Sequence, residues 1–249
     1  MSTLGRIART IVEAVALAAP VLALLACAYL QIEQSALLTL LVGCAALAVF
    51  FCGFEAGHPA LRQVMPTATL AALAAAGRIL FAPIPDFKPV SAICIIAGVA
   101  FGKHSGFMVG ALAALCSNFF FGQGPWTPWQ MYAWGLVGYI AGALAKSGVF
   151  ELDEGQGKPR FGLGTVVLLC YGFLSGLGYG FILNSWYIVA FLVPVTWQGA
   201  LAAYLAGLPL DLTHSIATVI FLSTLYLPWK RKLERIKRKY ACGKNIIWC

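Results

Sequence analysis

Long apolar runs dominate this chain, and they restrict its fold more than any motif does. Hydrophobic residues make up 61% of the sequence, charged residues make up 10%, and the mean hydropathy is +0.85. A helix needs about 20 apolar residues to cross the hydrocarbon core of a bilayer. Because backbone polar groups in lipid must be bonded within the protein, helices are the expected spanning elements. The sequence therefore predicts an all-α polytopic helix bundle in the lipid bilayer.

Eight apolar segments predict eight helices. We place them at Ile11–Leu30, Ala36–Phe54, Val64–Phe81, Val90–Phe101, Gly106–Phe121, Gln130–Lys146, Gly162–Leu183 and Leu210–Leu227. The stretch Asn184–Pro209 is apolar but is interrupted by Pro194, and we interpret it as a lid-like or interfacial segment. We divide the chain into two N-terminal transmembrane helices (residues 1–60), a six-helix core (61–228) and a basic tail (229–249).

The positive charge predicts the orientation of the chain. Its net charge is +8, and residues 230–244 alone hold eight basic residues and one acidic residue. A polybasic segment after a final span is typical of a cytoplasmic tail facing anionic lipid, so no nucleic-acid partner is expected. Most basic residues of the connections fall on the same side as this tail, namely Arg6, Arg9, Arg62, Lys103, Lys158 and Arg160, whereas Lys88 falls opposite. Both termini are therefore predicted to be cytoplasmic.

No pattern in the sequence predicts a metal or nucleotide site on this chain. The eight cysteines are scattered, and none forms the close pair that zinc or redox chemistry requires. A nucleotide-binding loop is also missing, and no predicted span holds an acidic residue near its middle, where ion-coupled carriers usually keep one. If the protein transports a solute, the energy must come from elsewhere.

The stretch Ser117–Gly135, SNFFFGQGPWTPWQMYAWG, concentrates three of the seven tryptophans. Pro125 and Pro128 disfavour helical geometry in the residues before them, so we expect Trp126 and Trp129 on a stiff, extended connector. A membrane-interface loop with an aromatic belt is the alternative, since Trp and Tyr prefer the headgroup level in any membrane protein.

Polar side chains from five predicted helices are expected at the same outer depth. They are Arg78, Asn118, Gln130, Asn184, Asp211 and His214. Such groups normally face a bundle interior or a watered cavity, which predicts an outward-facing pocket. Asp211 and His214 are three residues apart on a helix face and can act together. The alternatives are structural roles: an ion pair of Arg78 with Asp211, an Arg78 that extends to the lipid headgroups, or a buried His214 whose hydrogen bonds are satisfied within the protein.

Small residues predict close helix contact. Ala68, Ala72 and Ala76 recur at every fourth residue, with Ala71 and Ala75 beside them. This strip suits either a partner helix or packing within the bundle, and the same holds for the glycines of helices five to seven.

These residues carry a family resemblance. The motif SNFFFGQGPWTPWQM, supported by the alanine strip and by GLPLDLTHS, resembles the substrate-binding S component of an energy-coupling-factor (ECF) vitamin transporter over about Pro66–Leu227, closest to the branch with cobalamin-specific members. The resemblance implies a six-helix subunit in the bacterial cell membrane that captures a vitamin under the external loops Pro83–Pro89, Gly122–Trp129 and Asn184–Pro209. It also implies docking through Ala68, Ala72 and Ala76 on a transmembrane coupling subunit. Two ATPase subunits of that partner module would use the ATP, and no cofactor is expected on this chain.

Vitamin capture is thus the leading hypothesis. Its predicted substrate-binding residues are Arg78, Lys88, Asn118, Trp126, Thr127, Trp129, Gln130, Trp134, Asp211 and His214. Aromatic faces would hold a ring system and the polar groups would give selectivity. A membrane-embedded enzyme acting on lipid through Asp211 and His214 and a self-sufficient secondary carrier are the alternatives.

Overall fold

A computed structural model describes residues 3–30, 35–57, 61–150 and 162–239, and these ranges contain eight helices and no strand. The helices are α1 (Thr3–Leu30), α2 (Ser35–Gly57), α3 (Leu61–Leu80), α4 (Val90–Phe101), α5 (Lys103–Phe121), α6 (Trp126–Lys146), α7 (Leu163–Phe191) and α8 (Trp197–Lys239). The predicted all-α membrane bundle is confirmed. Within the described ranges, four helical segments are long and apolar enough to cross a membrane: Thr10–Leu30, Lys103–Phe121, Leu163–Phe191 and Trp197–Lys237. Lys158, Arg160 and the tail after Lys239 lie outside the described residues.

Helix α4 forms the centre of the bundle. Ten of its 12 residues are buried, and α3, α5, α6, α7 and α8 all contact it. At 1.5 Å per residue this helix is about 18 Å long, which is shorter than the hydrocarbon core. Its neighbours therefore shield it from lipid, and it forms the apolar centre around which the other five helices of the six-helix core pack.

Glycines bring the backbones of α4, α5 and α6 into direct contact. A Cβ atom added to Gly138 would lie 2.3 Å from the carbonyl oxygen of Gly106, and one added to Gly98 would lie 2.2 Å from that of Gly138. The same seam includes Gly110, against the backbone of Trp134, and Gly142, against that of Lys103. These glycines of α5 and α6 thus pack within the bundle, as the second of our two interpretations held.

The beginning of α6 corrects our prediction for the tryptophan stretch. The helix starts at Trp126 with Pro125 at its N-cap, so Trp126 and Trp129 lie in its first turn and not on an extended connector. A proline in the first helical turn removes no hydrogen bond, because the first N–H groups of a helix have no partner within it. The rule that a residue before proline avoids helical geometry therefore failed for Thr127.

The segment between α7 and α8 is also shorter than predicted. Helix α7 continues to Phe191 and α8 already begins at Trp197, so most of Asn184–Pro209 is helical and only residues 192–196 connect the two helices. Pro209 lies inside α8, where the hydroxyl of Thr213 donates a hydrogen bond of 2.9 Å to its carbonyl oxygen. Asp211 and His214 consequently lie several turns into α8 and not in its first turn.

The two N-terminal helices pack on the core through polar contacts. The carboxylate of Glu13 on α1 is buried and accepts hydrogen bonds from His104 Nε2 at 2.8 Å and Tyr139 Oη at 2.5 Å. Lys103 Nζ lies 2.9 Å from the same oxygen. On the same helix the carbonyl oxygen of Leu17 accepts a hydrogen bond from the hydroxyl of Tyr132. Buried polar contacts of this kind fix one orientation of α1 against the core.

Replacing Glu13 by alanine is expected to loosen this attachment. The change leaves His104, Lys103 and Tyr139 without their shared acceptor, which costs about 2 kcal/mol because Lys103 is partly open to solvent. The apparent melting temperature in detergent should fall by several degrees. Val15→Ala, on an exposed position of the same helix, is the matched control. Equal melting temperatures for E13A and the wild-type protein would contradict the attachment.

Candidate functional site

One end of the bundle carries a buried polar network centred on Asn118. This side chain is fully buried near the end of α5, and its Nδ2 donates to Thr127 Oγ1 at 2.9 Å and to Gln130 Oε1 at 2.8 Å. Its Oδ1 accepts a hydrogen bond from Arg78 Nη1 at 2.5 Å, and the same nitrogen donates to Ser117 Oγ at 2.6 Å. The structure therefore brings four of the predicted site residues, from α3, α5 and α6, into one network.

Arg78 connects this network to an aromatic surface. Its guanidinium carbon lies 4.6 Å from the ring centroid of Phe121 and 5.0 Å from that of Trp134. Among the described residues, Nε and Nη2 of Arg78 have no protein acceptor, and neither atom is fully buried. Two N–H-bearing nitrogens of a fixed cation are thus left for a ligand, while Nη1 holds the group in place.

A column of stacked rings continues from Arg78 into the bundle. Trp134 stacks on Tyr179 with ring centroids 4.7 Å apart, and Tyr179 stacks on His214 with centroids 4.8 Å apart and planes inclined by 7°. The far ring is fixed by a hydrogen bond of 2.7 Å between His214 Nε2 and Ser91 Oγ at the start of α4. All three rings are buried and use their faces on one another, so the column holds Trp134 and the neighbouring Arg78 in fixed positions.

Asp211 and Asn184 form a second polar pair beside the column. Asn184 Nδ2 donates to Asp211 Oδ2 at 2.9 Å. Gly180, one residue after Tyr179, makes room for this carboxylate, since a Cβ atom there would lie 2.0 Å from Asp211 Oδ1. Within the described chain Arg78 and Asp211 form no ion pair, and each has other partners. The alternative of an ion pair between these two residues is therefore wrong.

His214 and Asp211 also have different partners from those a catalytic pair would need. The imidazole of His214 is bonded to Ser91, and the carboxylate of Asp211 is bonded to Asn184. A general base oriented by a carboxylate requires the two groups to be within hydrogen-bond distance of each other. The geometric basis of the enzyme alternative is therefore missing. The buried His214, hydrogen-bonded within the protein, matches instead the interpretation that this residue has a structural role.

Lys88 and its loop cap the end of α3. The ammonium of Lys88 donates to the carbonyl oxygens of Phe81 at 2.8 Å and Ile84 at 2.7 Å. Burial lowers the pKa of Lys88, an effect that the nearby Asp86 opposes, and burial raises the pKa of Asp86 against the attraction of Lys88. Both carbonyls belong to the turn that follows α3, so Lys88 holds the Pro83–Pro89 loop folded against the end of this helix.

The two tryptophans at the start of α6 have different surroundings. Trp126 is 37% exposed, and its ring packs over Gly124. Trp129 is completely buried, stacks on Trp186 at 6.5 Å and donates from Nε1 to Thr39 Oγ1 of α2 at 3.3 Å. Trp129 therefore packs between Thr39 of α2 and Trp186 of α7.

Changing Trp129 to alanine is accordingly expected to affect folding. Removing a fully buried indole costs about 3 kcal/mol or more, because it leaves a cavity between α2, α6 and α7. We expect a loss of roughly 10 °C in apparent melting temperature, whereas Trp126→Ala, the exposed neighbour, should change it by less than about 3 °C. If both variants melted alike, the burial of Trp129 would be refuted.

The predicted alanine strip is divided between two faces of α3. Ala68, Ala72 and Ala76 are exposed, whereas Ala71 and Ala75 are buried against the core. Met65 and Leu73 are exposed on this helix as well. The sequence alone left open which alanines pack internally, and the structure separates the two sets.

Some residues of this end were missed by sequence reasoning. Tyr179, Ser91 and Ser117 complete the column and the network. Tyr179 and Ser91 lie in apolar runs that gave no signal, and Ser117 begins the tryptophan stretch but is uncharged and was not predicted as a site residue. In the described ranges no group of three or more His, Cys, Asp and Glu side chains could hold a metal ion. What the geometry offers is therefore hydrogen bonding and ring stacking.

Comparison with known proteins identifies one family. The family model described as the S component of an ECF-type riboflavin transporter matches residues 59–231. This range begins just after α2 and includes the whole network, the ring column and the exposed alanines of α3. No curated protein and no solved structure matches the chain.

Proposed function

The chain belongs to the family of ECF-type riboflavin transporter S components, and we propose that it captures a water-soluble vitamin at the end of the bundle that carries Arg78 and Trp134. This is a family of transporters and not of enzymes, and its members are substrate-binding components. The protein would bind its vitamin from outside the cell and hand it to an ATP-driven module that other subunits provide. Both termini would lie in the cytoplasm, as the distribution of basic residues predicts.

The arrangement of Arg78 is the observation that supports this function most. A guanidinium that is anchored at Nη1, flanked by two rings and left with two unengaged nitrogens is a preorganised donor. Asp211 Oδ1, beside the ring column, adds an acceptor, since Asn184 bonds to the other carboxylate oxygen. Apolar burial with a few fixed polar groups is how small-molecule sites usually combine affinity with selectivity.

Riboflavin is the first substrate to test, and cobalamin is the second. The description of the matching family model names riboflavin. The tryptophan motif of the sequence resembles instead the branch with cobalamin-specific members. Both vitamins carry an extended ring system and hydrogen-bonding groups, so the polar network can serve either one.

Ligand identification on the purified protein tests the proposal. The full chain is purified in detergent, the bound small molecule is extracted and identified by mass spectrometry, and both vitamins are then titrated against the emptied protein. We expect one of them to bind in the micromolar range or tighter and to be visible by its colour. If no vitamin co-purifies and neither one binds at millimolar concentration, the proposed function is wrong.

Docking on a coupling subunit is the second part of the proposed function. The exposed Ala68, Ala72 and Ala76 form a smooth face on α3 that allows a partner helix to approach closely. Replacing Ala72 by leucine should reduce co-purification with the co-expressed coupling subunit and its two ATPases by at least about tenfold, because the branched side chain separates the backbones.

Vitamin binding by A72L should stay unchanged, since Ala72 lies outside the ring column. Ala143→Leu, a substitution of the same size at an exposed position of α6, is the matched control and should leave the complex intact. An A72L protein that still assembles fully would exclude this face of α3 as the docking surface.

A further inference from the structure

The end of the bundle opposite Arg78 contains a cavity of about 320 Å³. It lies where α4 ends, α5 begins, α6 ends and the basic part of α8 passes. Apolar side chains of these elements form one part of its wall, among them Ile96, Phe150, Tyr226 and Leu233. This volume is at the lower limit of cavities that hold drug-sized ligands, so it suits a small group better than a whole vitamin.

Lysines line the polar part of this cavity, which we call the lysine cavity. They are Lys103, Lys146, Lys230 and Lys237, and Glu234 is the acidic residue of the lining. The charge of Lys103 is already balanced by Glu13 at 2.9 Å. Among the described residues no carboxylate lies within ion-pair distance of Lys146 or Lys237. The lining therefore keeps an excess of positive charge that a bound anion would neutralise.

The basic end of α8 is a fixed wall of this cavity. Leu233 is buried in the main core, and Trp229 and Ile236 pack against the same core. Their attachment places Lys230 and Lys237 on the cavity, whereas Arg231, Lys232 and Arg235 are exposed. A segment that the sequence predicts only as a basic tail thus divides into cavity-lining lysines and freely solvated ones.

We propose that the lysine cavity binds the phosphate headgroup of an anionic phospholipid. Ammonium groups are compact donors that bind phosphate as point charges, and the apolar wall beside them can take the glycerol and the first acyl carbons. The cavity lies at one end of the membrane spans, and the distribution of basic residues predicts that this end is in the cytoplasmic leaflet. Anionic lipids of that leaflet attract basic side chains. This inference is independent of the vitamin and of the site that binds it.

Lipid titration of charge-matched variants tests this proposal. The full-length protein in a mild nonionic detergent is titrated with phosphatidylglycerol, and bound lipid is counted by native mass spectrometry. The cavity variant is Lys146→Gln/Lys237→Gln, and the control is Lys232→Gln/Arg235→Gln, which removes the same charge from exposed positions of α8. We expect binding to the cavity variant to be about thirtyfold weaker and binding to the control to change less than about threefold.

Two further arms separate the sources of the phosphate and the effects of folding. Glycerol phosphate and phosphatidylcholine are titrated in parallel. Each should bind at least tenfold more weakly than phosphatidylglycerol. Lys146→Arg/Lys237→Arg, which retains the charge, should restore lipid binding to within about threefold. Equal losses in the cavity and control variants, or glycerol phosphate binding as tightly as the lipid, would overturn the proposal.

Discussion

Replacing Arg78 by leucine is expected to weaken vitamin binding by one to two orders of magnitude. The leucine removes the two unengaged nitrogens of the guanidinium and the cation over Trp134. A hydrogen bond from a charged group contributes about 1.5–3 kcal/mol, and each 1.4 kcal/mol is a factor of ten in affinity. Isothermal titration of the vitamin that co-purifies with the wild-type protein measures the loss.

Two variants show whether this loss comes from the site itself. Arg78→Lys keeps the charge but not the planar fork, so it should recover only part of the affinity. Lys146→Leu removes a cation from the opposite end of the bundle and should leave vitamin binding within about threefold of the wild-type value. Wild-type affinity in R78L, or an equal loss in K146L, would show that the network end does not bind the vitamin.

Valine in place of Gly138 should prevent the core from folding. Even a single methyl group at this position would meet the backbone of Gly106 at 2.3 Å, and backbone atoms cannot move aside as a flexible side chain can. The three helices α4, α5 and α6 would have to separate, and the loss would exceed the 1–3 kcal/mol that is usual for an overpacked core. We expect no monodisperse peak in size-exclusion chromatography of G138V.

Gly178→Val provides the matched control for this substitution. A Cβ atom at Gly178 on α7 would meet no other atom within 4 Å, so the same side chain can be added there without displacement. We expect G178V to be purified in wild-type yield and to melt within a few degrees of the wild-type protein. Similar yields and melting temperatures for the two variants would refute the glycine seam.

Composition and apolar run length were sufficient to predict the architecture. Eight helices and a membrane bundle follow from the need to bond every backbone group in lipid, and that requirement does not depend on side-chain detail. The bounds of α6 and α8 were less predictable, because prolines normally mark helix ends. Pro125 does mark the start of α6 as its N-cap, but Pro128 lies in the first turn of α6 and Pro209 lies within α8. The local rule was overridden at Pro128 and Pro209.

The candidate site was only partly accessible from the sequence. Polar and charged side chains such as Arg78, Asn118 and Asp211, whose burial costs free energy, are conspicuous in apolar runs. Three of the predicted residues donate to or accept from Asn118 directly. The sequence could not show which face of a helix a tryptophan occupies, so Trp129 and Trp134 were grouped although they face different neighbours. Long-range pairs such as Glu13 with His104, and Ser91 with His214, depend on tertiary packing that no local pattern encodes.

An experimental structure of the vitamin-loaded protein tests the central claim most directly. We expect density for the vitamin at the end of the bundle that carries Arg78 and Trp134, with one of its polar groups within hydrogen-bond distance of Arg78. Density for the vitamin in the lysine cavity at the other end of the bundle, or at the lipid-facing surface, would contradict it.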